Sequence, residues 1–193
     1  MLRFDSVIVA GGRSSRLGGT PKAGLRRGAE SLLEITVRAV NEAGCAVVVG
    51  PDDLAVPPAT LRTREDPPFS GPAAAIAAGL DHLARQPSRA AWTAVLACDM
   101  PDVAAAVQSL ADAAANLPSD TQGLIATAPD GHRENLAVMI RTEPLTTVFS
   151  EYPSRDRSVR SFWKHLRLIE VAVPAGSTQD VDTWEDVTRF DLH

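Results

Sequence analysis

A chain of 193 residues is long enough to bury a two-sided core without disulfides or structural metal, and short enough to be expected as one domain, 1–193. With 45% hydrophobic and 22% charged residues, apolar runs far short of a membrane span and Arg3 and Asp5 framing too short a segment for a signal peptide, it reads as a cytoplasmic globule with no membrane contact. A formal net charge of −5 argues against a nucleic-acid surface but leaves room for a local basic pocket. Cys45 and Cys98 each lie in an apolar stretch and are expected to be buried, reduced thiols.

Ser6 to Ala10 is apolar and β-branched enough for a buried first strand. The chain then breaks into Gly11-Gly12-Arg13-Ser14-Ser15-Arg16-Leu17-Gly18-Gly19, and Pro21 opposes a helix through Lys22, so the loop is expected to stay open to about Glu30. Adjacent glycines leave backbone N–H groups free to face an anion, and Arg16 and Lys22 add full positive charge. The amides of Gly11 to Arg16 thus form a candidate triphosphate cradle at the carboxyl end of a strand. Two familiar phosphate loops fail on spacing: Gly11 and Gly12 are adjacent where the dinucleotide fingerprint needs G-x-G-x-x-G, and Lys22 lies between Pro21 and Ala23 where a P-loop needs Gly-Lys-Ser/Thr.

Downstream, Glu30 to Ala43 is expected as a helix with Leu33, Val37 and Val40 on one face and Gly44 as its cap, followed by a strand over Cys45 to Gly50. Prolines surround a short strand near Leu61 to Glu65, and a helix restarts at Gly71 with Ser70 available to cap it and Pro72 in an early position. Ala91 to Ala97 reads as a central strand and Asp102 to Asn116 as an alanine-rich helix. Gly123 to Ala128 and Leu136 to Arg141 read as strands joined through Pro129-Asp130-Gly131, a turn suited to an antiparallel hairpin or edge strand. A helix over Arg157 to Leu166, a strand over Leu168 to Val173 and a helix over Thr183 to Leu192 complete the pattern. This alternation predicts an α/β fold: a single-domain, doubly wound, mostly parallel sheet.

The spacing Ala10-Gly11-Gly12-x-Ser14-x-Arg16-Leu17-Gly18-Gly19-x-x-Lys22 resembles the opening signature of Rossmann-like nucleotidyltransferases, most closely the molybdenum cofactor guanylyltransferases, with Gly11 standing where cytidylyl- and uridylyltransferases usually carry alanine. The resemblance spans nearly the whole chain, although its specific part is this loop plus two acidic segments. Cys98-Asp99-Met100-Pro101 resembles the family's Cys-Asp-x-Pro, whose aspartate binds metal; taken alone, Asp99 also suits the N-cap of the next helix. Asp180-Val181-Asp182-Thr183-Trp184-Glu185-Asp186 resembles the segment Asn-x-Asn-Thr-Pro-Glu-Asp, with aspartates where asparagines are usual. Asp182 is a candidate partner of Asp99 on Mg²⁺, or an N-cap with Glu185 closing a capping box.

The resemblance further implies that Val9, Ala10, Gly11, Gly12, Lys22, Asp66, Gly71 and Asp99 bind the nucleotide, with Asp66 on base or ribose unless it is a solvated loop residue. Gly50 stands where an asparagine can assist, and Glu134-Asn135-Leu136 where the family tends to have histidine or glutamine before proline, facing the pterin acceptor. Arg155, Arg157 and Arg160 suit either an acceptor phosphate or a plain surface helix. The four histidines show no shared metal-ligand spacing. The implied reaction is transfer of GMP from GTP to the terminal phosphate of molybdopterin with release of pyrophosphate, assisted by Mg²⁺, with Arg16, Lys22 and Asp99 catalytic and with transient molybdenum cofactor enzymes as partners. Alternatives are a cytidylyl- or other nucleotidyltransferase using a different NTP and phosphorylated acceptor, and a nucleotide-binding regulator without catalysis.

Overall fold

Six consecutive buried residues, Phe4–Val9, form the central strand β1; burial on both faces is what a strand inside a two-sided α/β protein requires. In the computed structural model, which describes residues 2–12, 14–118 and 120–193, the chain continues through a short hairpin, β2 (Arg26–Arg27) and β3 (Glu30–Ser31), to α1 (Leu32–Ala39), β4 (Ala46–Val49) and β5 (Leu61–Thr63). It then forms α2 (Pro72–Ala84), β6 (Trp92–Ala97), α3 (Val103–Ala114), β7 (Gly123–Thr127), β8 (Arg133–Arg141), α4 (Thr142–Glu151), α5 (Val159–Trp163), β9 (Leu168–Ala172) and α6 (Trp184–Arg189).

The main sheet has seven strands in the order β5-β4-β1-β6-β8-β7-β9. Every neighbouring pair is parallel except the two that β8 makes, with β6 and with β7. The expected hairpin is therefore present, but its reversed strand lies inside the sheet, with β7 and β9 beyond it. One core layer gathers Phe4, Ile8, Val48, Leu96 and Leu110 against α1 and α3. The opposite layer gathers Val7, Val49, Val95, Ile140, Leu145 and Phe162 beneath α2, α4 and α5. Ile8 and Val7 point to opposite layers because successive strand side chains alternate. Among the described residues no helix is long and apolar enough to cross a membrane.

Several boundaries differ from the sequence pattern for local reasons. Ser31 accepts from the Glu34 N–H while the Glu34 carboxylate accepts from the Ser31 N–H at 2.6 Å, so a capping box starts α1 one turn's fraction later than Glu30. Gly44 is not the helix cap: α1 ends at Ala39, and the Gly44 N–H donates to the Phe4 carbonyl at 2.7 Å as the chain re-enters the sheet. The β2–β3 hairpin interrupts the supposed open loop and is pinned to the chain's last residue by reciprocal backbone bonds between Arg26 and His193 of 2.9 and 3.0 Å. Helix α4 escapes the pattern because Pro144 looks like a breaker, yet it falls in the first turn, where a proline's missing N–H is harmless. Phe162, within the helix expected over Arg157 to Leu166, is a core residue stacked on Phe149 with ring centroids 4.3 Å apart.

Candidate active site

The carboxyl ends of β1 and β6, the loop after β9 and the amino end of β8 meet around a cleft of about 950 Å³. Antiparallel β8 contributes because its start lies at the edge where its neighbours β6 and β7 finish. Val9, Ala10, Gly11, Gly12, Arg16, Lys22, Gly71, Asp99 and Asp182 all line this cleft. Arg13 lies outside the described residues.

The glycine loop leaves β1 at Ala10, whose N–H is still paired to the Val49 carbonyl at 2.8 Å. Among the described residues none accepts a hydrogen bond from the N–H of Gly11 or Gly12, and added Cβ atoms there would meet nothing within 4 Å. The loop then tightens into a single 3-10 turn over Ser15–Leu17, closed by Gly18 at φ 63, a left-handed conformation that costs glycine nothing. Leu17 is buried under this turn with Leu25, Leu32 and Val181, an apolar anchor that fixes the loop to α1 and to the segment before α6.

Lys22 begins a second such turn and reaches between two carboxylates, donating to Asp99 Oδ2 at 2.9 Å and Asp182 Oδ1 at 2.6 Å. Arg16 also pairs with Asp182. Burial by itself would lower the affinity of Lys22 for its proton, but Asp99 and Asp182 together outweigh it and hold the ammonium above its ordinary range. The same contact with Lys22 holds the Asp182 carboxyl below its ordinary range. Asp99 follows β6 by two residues and its carbonyl accepts from the Val181 N–H at 3.0 Å, which ties the two acidic segments together.

Neither aspartate caps a helix. Asp102 occupies the N-cap of α3 without a capping bond, its carboxylate accepting instead from Arg27 at 2.9 Å, and Thr183 caps α6 in a capping box closed by Asp186. The capping role considered for Asp182 with Glu185 is therefore corrected by one residue, which leaves the Asp182 side chain to the cleft. Asp180 joins the group: Asp99, Asp180 and Asp182 bring carboxylate oxygens within 4.8 Å of one another. Burial, then the charges of Asp99 and Asp182, push the Asp180 carboxyl up. Three hard oxygen donors at this separation suit a divalent cation of the Mg²⁺ or Mn²⁺ kind.

Other expected residues fall elsewhere. Asp66 is exposed and outside the cleft lining, whereas its neighbour Glu65 lines it and accepts from the Phe69 N–H at 2.9 Å. Gly71, at φ 91, is the N-cap of α2, with no side chain between that helix start and the cleft. At Gly50 a Cβ would stand 2.9 Å from Leu54 Cδ2 and 3.3 Å from the Ala10 carbonyl, so an asparagine there would require Leu54 to shift. Arg155, Arg157 and Arg160 are exposed and do not line the cleft, although the Asp156 N–H reaches the Ser70 carbonyl at 2.9 Å. Phe69, His132, Glu134 and Thr178 also line the cleft. The polar residues His132, Glu134 and Asn135, just ahead of the strand expected from Leu136, were the available signal for the β8 side. Both cysteines are free, Cys98 buried and Cys45 half-buried.

A glycine loop at the end of a first strand, two loop cations and a carboxylate group on one edge of a mostly parallel α/β sheet define a nucleotide-handling enzyme of the nucleotidyltransferase class. The family model of the MobA-like NTP transferase domain matches residues 6–171, and the chain belongs to that family. A molybdenum cofactor guanylyltransferase of Cupriavidus metallidurans is 27% identical over 179 residues, covering 87% of this chain and 84% of that protein. Rv0371c of Mycobacterium tuberculosis shares the fold with a TM-score of 0.74 at 24% identity, covering 98% of this chain and 97% of that one. Its complex with manganese gives 0.68 at 22%, covering 98% of each. The molybdopterin-guanine dinucleotide biosynthesis protein A of Archaeoglobus fulgidus gives 0.70 at 16%, covering 97% and 96%. Solved cytidylyltransferases have the same fold.

Proposed function

We propose that this enzyme transfers GMP from GTP to the terminal phosphate of molybdopterin and releases pyrophosphate. The observation that carries the reading is the juxtaposition of a bare glycine loop with Lys22, which stands 2.9 Å from Asp99 and 2.6 Å from Asp182. The nucleotide would lie along Val9, Ala10, Gly11 and Gly12, with its base toward Gly71 and Glu65. Glu65 replaces Asp66 as the carboxylate placed to accept from the N1 and 2-amino groups of guanine. The amides of the glycine loop, Arg16 and Lys22 would take the β and γ phosphates, the two cations exchanging carboxylates for phosphate oxygens. Asp99 and Asp182, joined by Asp180, would hold Mg²⁺, which when bound offsets charge at the α-phosphate.

The acceptor phosphate oxygen forms the new bond to the α-phosphorus as the α–β phosphoanhydride breaks, and the electron pair of that bond leaves on pyrophosphate. No enzyme nucleophile is needed, because the acceptor is already anionic near neutral pH. Lys22 and Arg16 meet the charge that grows on the leaving group, so the chain contributes alignment and electrostatics. The relative from Cupriavidus metallidurans supports the guanylyl and molybdopterin assignments, and the manganese complex of the mycobacterial neighbour supports a divalent cation.

Asp182, an aspartate where the guanylyl branch usually has asparagine, favours a second reading in which the same chemistry transfers a cytidylyl group. A regulator without catalysis would have less need of the Lys22–Asp99 pair. Pyrophosphate release with molybdopterin and each of GTP, CTP, UTP and ATP tests these readings. Release confined to GTP supports the first, release confined to CTP supports the second, and no release with any nucleotide overturns both.

A further inference from the structure

The half of the cleft built by β8 and the loop after β9 has a different character from the phosphate half. Its lining residues include His132, Glu134, Leu136, Thr178 and Asp180, and among the described residues no lysine or arginine lines it beyond Arg16 and Lys22 at the boundary. Such a half disfavours phosphate. It presents a half-buried carboxylate, a hydroxyl and apolar surface, the composition that suits the donor-bearing edge of a flat heterocycle.

Glu134 is held there by the sheet. Leu96 pairs with Ala137 across β6 and β8, so the residues that precede Ala137 on β8 lie toward the end of β6 from which Asp99 follows. His132, Glu134, Asn135 and Leu136 line the cleft, while Arg133 turns away to bond Glu170 at 2.7 Å. The backbone is fixed from behind, where the Trp163 indole N–H donates to the Asn135 carbonyl at 3.0 Å. Thr178 and Asp180 both stand close enough to the Glu134 carboxyl to perturb it, the hydroxyl pulling it down and the Asp180 charge pushing it up.

We infer that Glu134 reads the 2-amino-4-oxo edge of the acceptor's pterin ring, its carboxylate accepting from the 2-amino group and the adjacent ring N–H. This rests on the pterin-acceptor reading above. A carboxylate matches that donor pair with two parallel charge-assisted bonds, and a heterocycle with oxygen in place of the 2-amino group offers only one. The carboxylate also gains most from such donors where water is scarce: burial pushes the Glu134 carboxyl up, against the opposing influence of His132. The ring thus lies beside β8 and the acceptor's phosphate points back toward Lys22 and Asp99. Guanine carries the same donor pair, so the test must separate acceptor from nucleotide.

The test is a fluorescence titration of 6-hydroxymethylpterin, and of lumazine as the 2-oxo comparison, into the wild-type protein and the Glu134→Gln variant, alongside thermal shifts with GTP and CTP in the presence of Mg²⁺. The expected result is pterin binding about tenfold weaker in Glu134→Gln, the scale of one lost charge-assisted hydrogen bond, with lumazine binding and both nucleotide shifts unchanged. Thr178→Val, which removes the hydroxyl that lines the cleft beside Glu134, should weaken pterin binding in the same direction and serves if Glu134→Gln fails to fold. Equal pterin affinity in wild type and variant overturns the inference while leaving the reaction intact. A variant that loses GTP stabilisation and keeps pterin binding assigns Glu134 to the nucleotide and also overturns it. No pterin binding by the wild-type protein defeats the pterin-acceptor reading itself.

Discussion

Replacing Lys22 with methionine keeps most of the side-chain volume and removes only the charge that bridges Asp99 and Asp182. The lysine side chain is 19% exposed and makes bonds of 2.9 and 2.6 Å, while the two carboxylates it separates have oxygens within 4.8 Å. Removing one partner of a fully buried pair costs about 3–5 kcal/mol. Partial exposure here, and Arg16 remaining on Asp182, reduce that to roughly 2 kcal/mol, or about 4–8 °C in Tm for a chain of this size. Because Asp99 and Asp182 hold the Lys22 ammonium above its ordinary range, its contribution is whole below the unfolded value of 10.5 and is lost as pH rises through the folded value. Asp182, held low by Lys22, gives the complementary limit: its contribution is present above 3.8 and lost as pH falls through its folded value. From the pH at which Asp180, held above its ordinary range and coupled to Lys22, is fully ionised up to the unfolded lysine value, the wild-type advantage over Lys22→Met should be flat with pH. Turnover should fall about a hundred- to thousandfold, as for removal of one preorganised donor, with a smaller change in KM. Thermal melts at several pH values and steady-state pyrophosphate release measure both effects. A variant as stable and as active as the wild type would refute the bridging cation and its role on the leaving group together.

Thr183→Ala should cost about 1 kcal/mol by removing the cap of α6, and the Asp186 carboxyl, held low chiefly by the Thr183 hydroxyl, should titrate at higher pH in an NMR experiment. Asp182→Asn should weaken Mn²⁺ binding in a direct titration without the signature of a lost helix cap, because Thr183 performs the capping; equal affinity would remove Asp182 from the metal group. Chelation of divalent cations should abolish pyrophosphate release, and added Mg²⁺ or Mn²⁺ should restore it; full activity in chelator would contradict a carboxylate-bound metal. Gly79→Ala should destabilise the fold by about 1–3 kcal/mol despite a better helix former, since its Cβ would lie 2.5 Å from Val7 Cγ1 where α2 rests on β1; an unchanged denaturation midpoint would show that the helix can lift without cost.

Much of the site was legible because its chemistry is local. The run from Ala10 to Lys22 places glycines and cations in one loop, and Asp99 follows an apolar strand immediately, so both halves follow from short-range pattern. What the pattern could not resolve were choices between adjacent residues. Asp182 and Thr183 are both good N-caps, and only the φ and ψ of the entering chain select Thr183 and release Asp182. Glu65 and Asp66 are both acidic beside a proline pair, and the course of the loop sends only Glu65 into the cleft.

The larger omission was topological. Alternation of strands and helices announces a parallel sheet but carries no sign of which neighbour a hairpin strand will find, and β8 enters between β6 and β7 instead of closing an edge. That placement matters to the chemistry. A parallel strand offers the active edge its last residues, whereas an antiparallel one offers its first. The beginning of β8, with Glu134 in the strand and His132 just before it, therefore shares the cleft with the Asp99 segment, and the turn that creates the hairpin also delivers those side chains. One strand reversed within the sheet turns a nucleotide cradle on one side of Asp99 into a cleft with two unlike halves, as joining two different substrates requires.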